Sequence, residues 1–236
     1  YDQGYYAPPP IEASRTPTKD FTYALYRAPK NLIELDKNSN ESCGIDPITL
    51  AKRAYCLRNS DGSLAPVPTR KEIDSDKVLA GLGLEIAYVK DPVEIALLMV
   101  EGSGSIEIKA ADGKSSKIIR INYFTQNGRP RNSPARLVKC DGGAPDDYNS
   151  TARVKKYFAS LSPDKRTRLL NYDESYVFFA PGGQGPNGVG NIPLTALHSF
   201  ATDRRIMPIG SLMLFNAPRP WGKPNGCRNH TPMGIA

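Results

Sequence analysis

The sequence predicts a mainly β fold with a few short helices, and three observations carry that expectation. The 236 residues include 21 prolines and 20 glycines spread along the whole length, which favours many short strands and turns over a helical bundle. Apolar and polar residues alternate in several runs, among them FTYALY, LEIAYVK, SIEIKA and SKIIRINYF, the period of a half-buried strand. These runs fall into a β-rich start, a mixed middle block from about Val67 to Asp173 and a β-rich end. That order suggests a middle domain inserted into a split outer one.

Taken in order, Tyr1 to about Tyr26 is rich in aromatics and proline, GYYAPPP and then FTYALY, the second an expected strand. Residues 30–68 are polar and irregular apart from DPITLAKRAYCL, where Asp46 can cap and Pro47 can take the first helical position, giving a short helix or turn. TRKE, Thr69 to Glu72, is a capping box and predicts a short helix from Arg70. LEIAYVK (84–90) reads as a strand. Asp91-Pro92 then opens a helix through VEIALLMVE, which Gly102 stops. That helix is apolar on nearly every side except at Glu94 and Glu101, so burial is expected. SIEIKA and SKIIRINYF, joined by Asp112-Gly113, predict a hairpin. STARVKKYFASL and SPDKRTRLLN predict helices, the second with Ser162 as cap and Pro163 at its first position, and SYVFFAP returns to a strand. The Gly-rich PGGQGPNGVGN lacks the Gly-Lys-Ser/Thr ending of a phosphate loop and no helix follows it, so a phosphate-binding reading is rejected. IPLTALHSFATDRRIMPIGSLMLF comes next and closes on the expected strand SLMLF.

No run approaches 18 apolar residues, so no membrane-spanning helix is expected. The start, YDQGYYAPPP, has neither the charged nor the apolar region of a signal peptide, so none is expected within it. The net charge of +7 fits either a solvated basic surface or an anionic glycan or peptide substrate. Nucleic acid is disfavoured as a partner, because the basic residues are scattered and neither a basic helix nor an RNP-like aromatic stretch is present. The four cysteines are Cys43, Cys56, Cys140 and Cys227; with only His198 and His230 and no C-x-x-C pair, neither a zinc site nor any other metal is expected. Cys43 and Cys56 fit the closure of a small loop and Cys140 with Cys227 a longer link, while buried free thiols fit the count nearly as well. No cofactor is expected.

Candidate chemistry centres on VEGSGSIEI. Glu101 ends a helix, whose negative end raises a carboxylate's pKa, and the Gly102-Ser103-Gly104 that follows allows a ligand close to the backbone. Glu101 fits an acid or a holder of sugar hydroxyls; it equally fits a plain helix end before a bend. Tyr5, Tyr6, Tyr23 and Tyr26 fit a sugar-stacking groove or a strand-packed core. Ser199, His198 and Asp203 lack the nucleophile elbow that would support a catalytic triad. Asp203 stands beside Arg204 and Arg205, and adjacent arginines lower a carboxyl pKa. It suits accepting backbone N–H bonds or orienting a neighbour rather than donating a proton.

Several stretches, in this order, resemble the membrane-bound lytic transglycosylases of type A, the MltA family: GYYAPPP, YALYRAP, TRKEI, LLMVEGSGSIEI, INYFTQNGRP, NYDESYVFFAP and IPLTALHSFATDRRIMPIGSLMLF. The last is similar to the opening of that family's C-terminal three-aspartate (3D) domain. The resemblance covers nearly the whole chain apart from about 31–66 and 134–148. It implies a double-psi β-barrel split in sequence over residues 1–66 and 175–236, its C-terminal part incomplete, with a smaller β-barrel domain inserted at 67–174 and a groove between them. It implies peptidoglycan glycan strands as partner, and non-hydrolytic cleavage of the MurNAc-β-1,4-GlcNAc bond to a 1,6-anhydromuramyl product. That reaction needs one carboxyl to protonate the glycosidic oxygen and then accept the C6 hydroxyl proton. No separate water is activated, unlike in the two-carboxylate hydrolases.

By the same resemblance, Glu101, Gly102, Ser103, Gly104, Tyr26 and Tyr6 are the substrate-binding candidates, and Asp203, Arg204 and Thr195 support the barrel. Asp203 matches the first of the three family aspartates. HTPMGIA stands where the stretch carrying the second should begin, so the general acid/base aspartate is expected beyond Ala236. Glu101 stands where a substrate-binding Gln is expected; the change keeps an acceptor and loses the amide donor. The resemblance also implies the periplasm or cell envelope, with the outer membrane reached only through an N-terminal lipid anchor outside this sequence. A catalytically inactive glycan-binding module of the same fold is the alternative.

Overall fold

The computed structural model describes residues 9–36, 40–44, 54–109, 115–183, 192–195, 199, 202, 206–214 and 233–235. Six strands form one sheet in the order β2 (Tyr23–Tyr26), β6 (Glu85–Val89), β1 (Ile11–Ser14), β7 (Ser103–Lys109), β8 (Ser116–Gln126) and β9 (Val177–Pro181). β1 runs parallel to β7, and every other neighbouring pair is antiparallel. The alternation read from the sequence sets the faces. Ile106, Ile108 and Ile121 are buried, while Ser103, Ser105 and Glu107 stand on the opposite side of β7. The expected hairpin is β7 paired to β8 from Ser103↔Asn122 to Lys109↔Ser116; Asp112-Gly113 lies outside the described residues. The two edges of the sheet touch: the Tyr176 hydroxyl donates to the Ala24 carbonyl at 3.5 Å, and its ring centroid is 6.5 Å from that of Tyr26.

A second sheet joins β3 (Leu32–Glu34), β4 (Tyr55–Arg58) and β5 (Leu64–Pro66). A disulfide links Cys43 to Cys56 on β4, the loop-closing alternative of the sequence reading. Cys140 is free and exposed, and Cys227 lies outside the described residues. Asp46 and Pro47 also lie outside them. The tail of DPITLAKRAYCL is strand rather than helix, because β4 is hydrogen-bonded on both sides, by β3 and by β5.

The helix signals within the described residues are local, and each opens or closes a helix there. α1 (Arg70–Asp74) starts at the capping box: the Thr69 N–H donates to the Glu72 carboxylate at 2.7 Å, and the Glu72 N–H donates to the Thr69 hydroxyl at 3.4 Å. α2 (Pro92–Glu101) begins where the Asp91 carboxylate accepts the Val93 N–H at 2.9 Å and ends on Gly102 at φ 76°. It is apolar all round because it lies between two cores. Ile95, Leu98 and Met99 face the sheet, whereas Val93 and Ala96 join Leu137, Val138, Val154, Phe158, Leu169 and Leu170. That second core is built by α3 (Pro134–Cys140), α5 (Thr151–Ser160) and α6 (Pro163–Asn171), with the short α4 (Pro145–Tyr148) between α3 and α5. α3 was not foreseen, although Ser133-Pro134 carries the same start signal as Ser162-Pro163: each serine hydroxyl accepts an N–H of the first turn.

The chain divides into two compact units, Pro10–Gly183, and residues 1–9 with 184–236. The expected cut at residue 67 runs through the six-stranded sheet, since β1 and β2 pair with β6 and β7. Pairing between strands so far apart in sequence leaves no local mark. Within the other unit, β10 (Leu212–Leu214) pairs antiparallel with β11 (Met233–Ile235), and β10 is the strand expected in SLMLF.

Candidate functional site

The turn from α2 into β7 places a carboxylate in the open. Glu101 is the last residue of α2 and is exposed. Among the described residues its side chain makes neither a hydrogen bond nor an ion pair. Lys155, the cation that acts on it most, is held by Glu94 at 2.8 Å. Partial loss of water around the Glu101 carboxylate raises its pKa; Lys155 opposes this and the like charge of Glu94 adds to it. The guanidinium of Arg131 donates to the Met99 carbonyl at 2.7 Å and so satisfies part of the same helix end. Glu101 is therefore left as a hydrogen-bond acceptor facing solvent.

The residues after it are fixed by packing. Gly102 takes the left-handed conformation that ends the helix, and its carbonyl accepts the Tyr123 N–H at 2.5 Å. A Cβ on Gly104 would lie 2.5 Å from Leu98 Cδ1, so this glycine lets β7 close onto α2. Its smallness serves the helix–strand contact, where the sequence had suggested ligand approach. Ser103 accepts from Arg120 Nη2 at 3.4 Å, and its cross-strand partner Asn122 donates to the Gly182 carbonyl at 2.6 Å. Arg120 and Asn122, which the sequence reading missed, thus join the predicted Ser103 in a half-buried polar row after Glu101. The hairpin register was the signal that would have found it.

Of the other predicted site residues in the unit Pro10–Gly183, Tyr26 is not brought to this turn. Tyr26 is 2 % exposed and packs in the sheet core against Tyr176. It offers no face for a sugar, and its assignment to substrate binding is corrected to a core role. Burial of its hydroxyl pushes the Tyr26 pKa up to about 12, with Glu85 adding to the effect. Thr195 is exposed, and its N–H donates to the Ser199 hydroxyl at 3.0 Å within a local turn. Tyr6, Asp203 and Arg204 lie outside the described residues. Among the described residues, no three or more His, Cys, Asp or Glu side chains converge as metal ligands do, and no helix is long and apolar enough to cross a membrane.

A second polar cluster lies inside the molecule. Arg70 is fully buried; its Nε donates to Asp74 at 3.2 Å and its Nη1 to Asp173 at 3.5 Å. Asp173 also accepts the N–H groups of Asn132 and Ser175. Buried Asn127 donates to the Pro68 and Glu174 carbonyls and accepts the Tyr176 N–H at 2.9 Å. TRKEI, QNGRP and NYDESYVFF therefore meet in one hydrogen-bonded core. Burial raises the pKa of both Asp74 and Asp173, and the Arg70 charge opposes it in each.

Comparison with known proteins places the chain. The family model "MltA specific insert domain" matches residues 3–180, nearly the span of the unit Pro10–Gly183. Membrane-bound lytic murein transglycosylase A of Vibrio cholerae is 26% identical over 216 residues, 91% of this chain and 48% of that protein. The Escherichia coli K12 protein of the same name is 26% identical over 220 residues, with the same coverage of each. The chain thus spans about half the length of the curated relatives it matches. The crystal structure of a membrane-bound lytic murein transglycosylase from Agrobacterium tumefaciens superposes with a TM-score of 0.75 at 28% identity, over 98% of this chain and 61% of that one. E. coli MltA with bound chitohexaose shares the fold with a TM-score of 0.66 at 24% identity, over 99% of this chain and 58% of that one. With the MltA-specific model matched across residues 3–180, the chain belongs to the MltA family.

Proposed function

We propose that this protein is a peptidoglycan lytic transglycosylase and that the α2–β7 turn is part of its glycan site. The observation that carries the reading is the family match across residues 3–180, which contains that turn. The exposed Glu101 carboxylate supports it, since an exposed acceptor suits the hydroxyl and N–H groups of a glycan strand. So does the E. coli relative of this fold seen with a chito-oligosaccharide.

The reaction is an internal transfer. The muramyl C6 hydroxyl attacks C1 of the same residue, the bond from C1 to the glycosidic oxygen breaks, and a 1,6-anhydro ring remains. The proton lost from O6 balances the proton given to the leaving sugar's 4-oxygen, so a single carboxyl serves both steps. A double-psi β-barrel, split in sequence, is the frame this reading expects to hold that carboxyl. Glu101, Ser103 and the Arg120–Asn122 row are assigned to binding, where they orient the strand. The reading places the protein in the bacterial envelope, in the periplasm or at the outer membrane.

Mass spectrometry of sacculi treated with the full-length protein tests the reading. Muropeptides ending in 1,6-anhydromuramic acid are expected. Products ending in a free reducing muramic acid would make the enzyme a hydrolase, and the absence of products from active, folded protein would remove the activity altogether.

A further inference from the structure

The cations of the unit Pro10–Gly183 are unevenly engaged. On the sheets and their connections most have partners. Lys90 and Lys109 both bind Glu12, Arg15 and Arg27 donate to the carbonyls of Ile86 and Glu85, Arg58 pairs with Glu41, and Lys71 pairs with Asp76. On α3, α5 and α6, among the described residues, only Lys155 and Lys165 form ion pairs, with Glu94 and Asp141. Arg136, Lys139, Arg153, Lys156 and Arg168 are exposed, and their side chains engage no described residue.

Helical spacing turns all five outward. Leu137 and Val138 bury one side of α3 and direct Arg136 and Lys139 away from the core. Val154 and Phe158 do the same for Arg153 and Lys156 on α5, and Leu169 and Leu170 for Arg168 on α6. A face kept merely soluble mixes both signs of charge. On α3, α5 and α6 the one acidic residue is Asp164, while Asp146 and Asp147 on the intervening α4 accept from the Asn149 side chain and the Ala144 N–H. A face that enters a membrane interface carries large apolar side chains beside its cations. These helices expose Ala152, Ala159 and Ser160 instead, and the exposed Tyr172 stands just past α6.

We infer that the outward faces of α3, α5 and α6 are a docking surface for the carboxylate-bearing peptide stems of the cell-wall polymer, separate from the residues around Glu101. The inference rests on the peptidoglycan reading above and names a second contact with the same polymer. Each exposed contact is weak and screened by salt. The polymer presents carboxylates repeatedly, so several weak contacts act together and hold the chain on the sacculus between encounters with the glycan.

The test is co-sedimentation of the 236-residue chain with purified sacculi, at about 20 mM and about 500 mM salt, where screening differs severalfold in range. The parent is compared with the triple variant Arg153→Glu, Lys156→Glu, Arg168→Glu, and with the corresponding triple Gln variant. Calorimetric titration with uncharged chitohexaose and thermal unfolding are run on all three. At low salt the Glu variant is expected to bind sacculi about tenfold or more weaker and the Gln variant to fall between, with the differences closing at high salt. Chitohexaose affinity and melting temperature should not move. If the Glu variant fails to fold, the Gln variant decides. Equal sacculus binding by parent and variants overturns the inference, as does tighter charge-dependent binding to anionic phospholipid vesicles or to duplex DNA than to sacculi. Failure of the parent to bind chitohexaose counts against the glycan reading instead, so the two failures are distinguishable.

Discussion

Arg70 Nη1 lies 3.5 Å from the carboxylate of Asp173, which is 103 positions further along the chain, and both side chains are buried. The same guanidinium holds Asp74 at 3.2 Å through its Nε. Removing the cation strands two carboxylates away from water, so Arg70→Leu should cost about 3–5 kcal/mol of folding stability. Urea unfolding measures it. A loss below about 1 kcal/mol would mean that the core relaxes enough to hydrate both acids.

Gly104 and Leu98 should be coupled. A methyl group on Gly104 would meet Leu98 Cδ1 at 2.5 Å inside the core, and overpacking of this kind costs about 1–3 kcal/mol. Leu98→Ala alone should cost about 2–5 kcal/mol by opening a cavity. In that background Gly104→Ala should cost little, because the space it needs is free. A double-mutant cycle by chemical denaturation reads the coupling, and strict additivity would contradict the packing role of the glycine.

The link between Cys43 and Cys56 closes a loop of sequence separation 13 and ends on a fully buried sulfur. Constraining the unfolded chain over such a loop is worth about 3 kcal/mol in the loop-entropy account. Thermal unfolding with and without a reductant should show a lower melting temperature for the reduced protein. The Cys43→Ser, Cys56→Ser variant should melt low under both conditions.

Glu12 ties two strands together on the outer face of the sheet. Hydrogen bonds from Lys109, then from Lys90, hold its carboxyl down to about 2, against an ordinary 4.5. A depressed folded-state pKa stabilises above the unfolded value, and the benefit is lost as protons bind the folded state. The contribution should thus be complete above about pH 4.5 and vanish as the pH falls through about 2. The group is partly exposed, so solvent screening limits its worth to below about 1 kcal/mol. Carbon-13 NMR of the Glu12 carboxyl checks the midpoint; titration at the ordinary value would show the lysine contacts to be absent in solution.

What the sequence made legible was local chemistry. The Thr69–Glu72 box, the Asp91-Pro92 start and the Gly102 stop each satisfy orphan backbone groups within a few residues, and the structure keeps all three. The all-round apolarity of α2 correctly announced burial, although it did not reveal that two separate cores cover the helix. Long-range pairing was not legible. Nothing near Ile11–Ala13 marks it as the parallel partner of Ile106–Ile108, so the strands before residue 67 were assigned to another domain. Tyr26 illustrates a different limit. An aromatic on a strand fits a core and a sugar platform equally well until its neighbours are known, and here those neighbours are Tyr176 and the sheet core. The motifs TRKEI and NYDESYVFF carried the family resemblance, yet only the fold reveals that Arg70 and Asp173 meet.

The measurement that tests the central claim most directly is calorimetric titration of the chain with chitohexaose, for the parent and for Glu101→Ala, alongside thermal unfolding of both. Glu101 is exposed and bonds no described residue, so its removal should leave the melting temperature unchanged. Loss of a charged acceptor from a glycan hydroxyl should cost roughly 1.5–3 kcal/mol, which is roughly a 10- to 150-fold weaker affinity. That loss of affinity at unchanged stability is what the account predicts. Equal affinity in parent and variant, or unfolding of Glu101→Ala, would contradict the assignment of the α2–β7 turn to glycan binding.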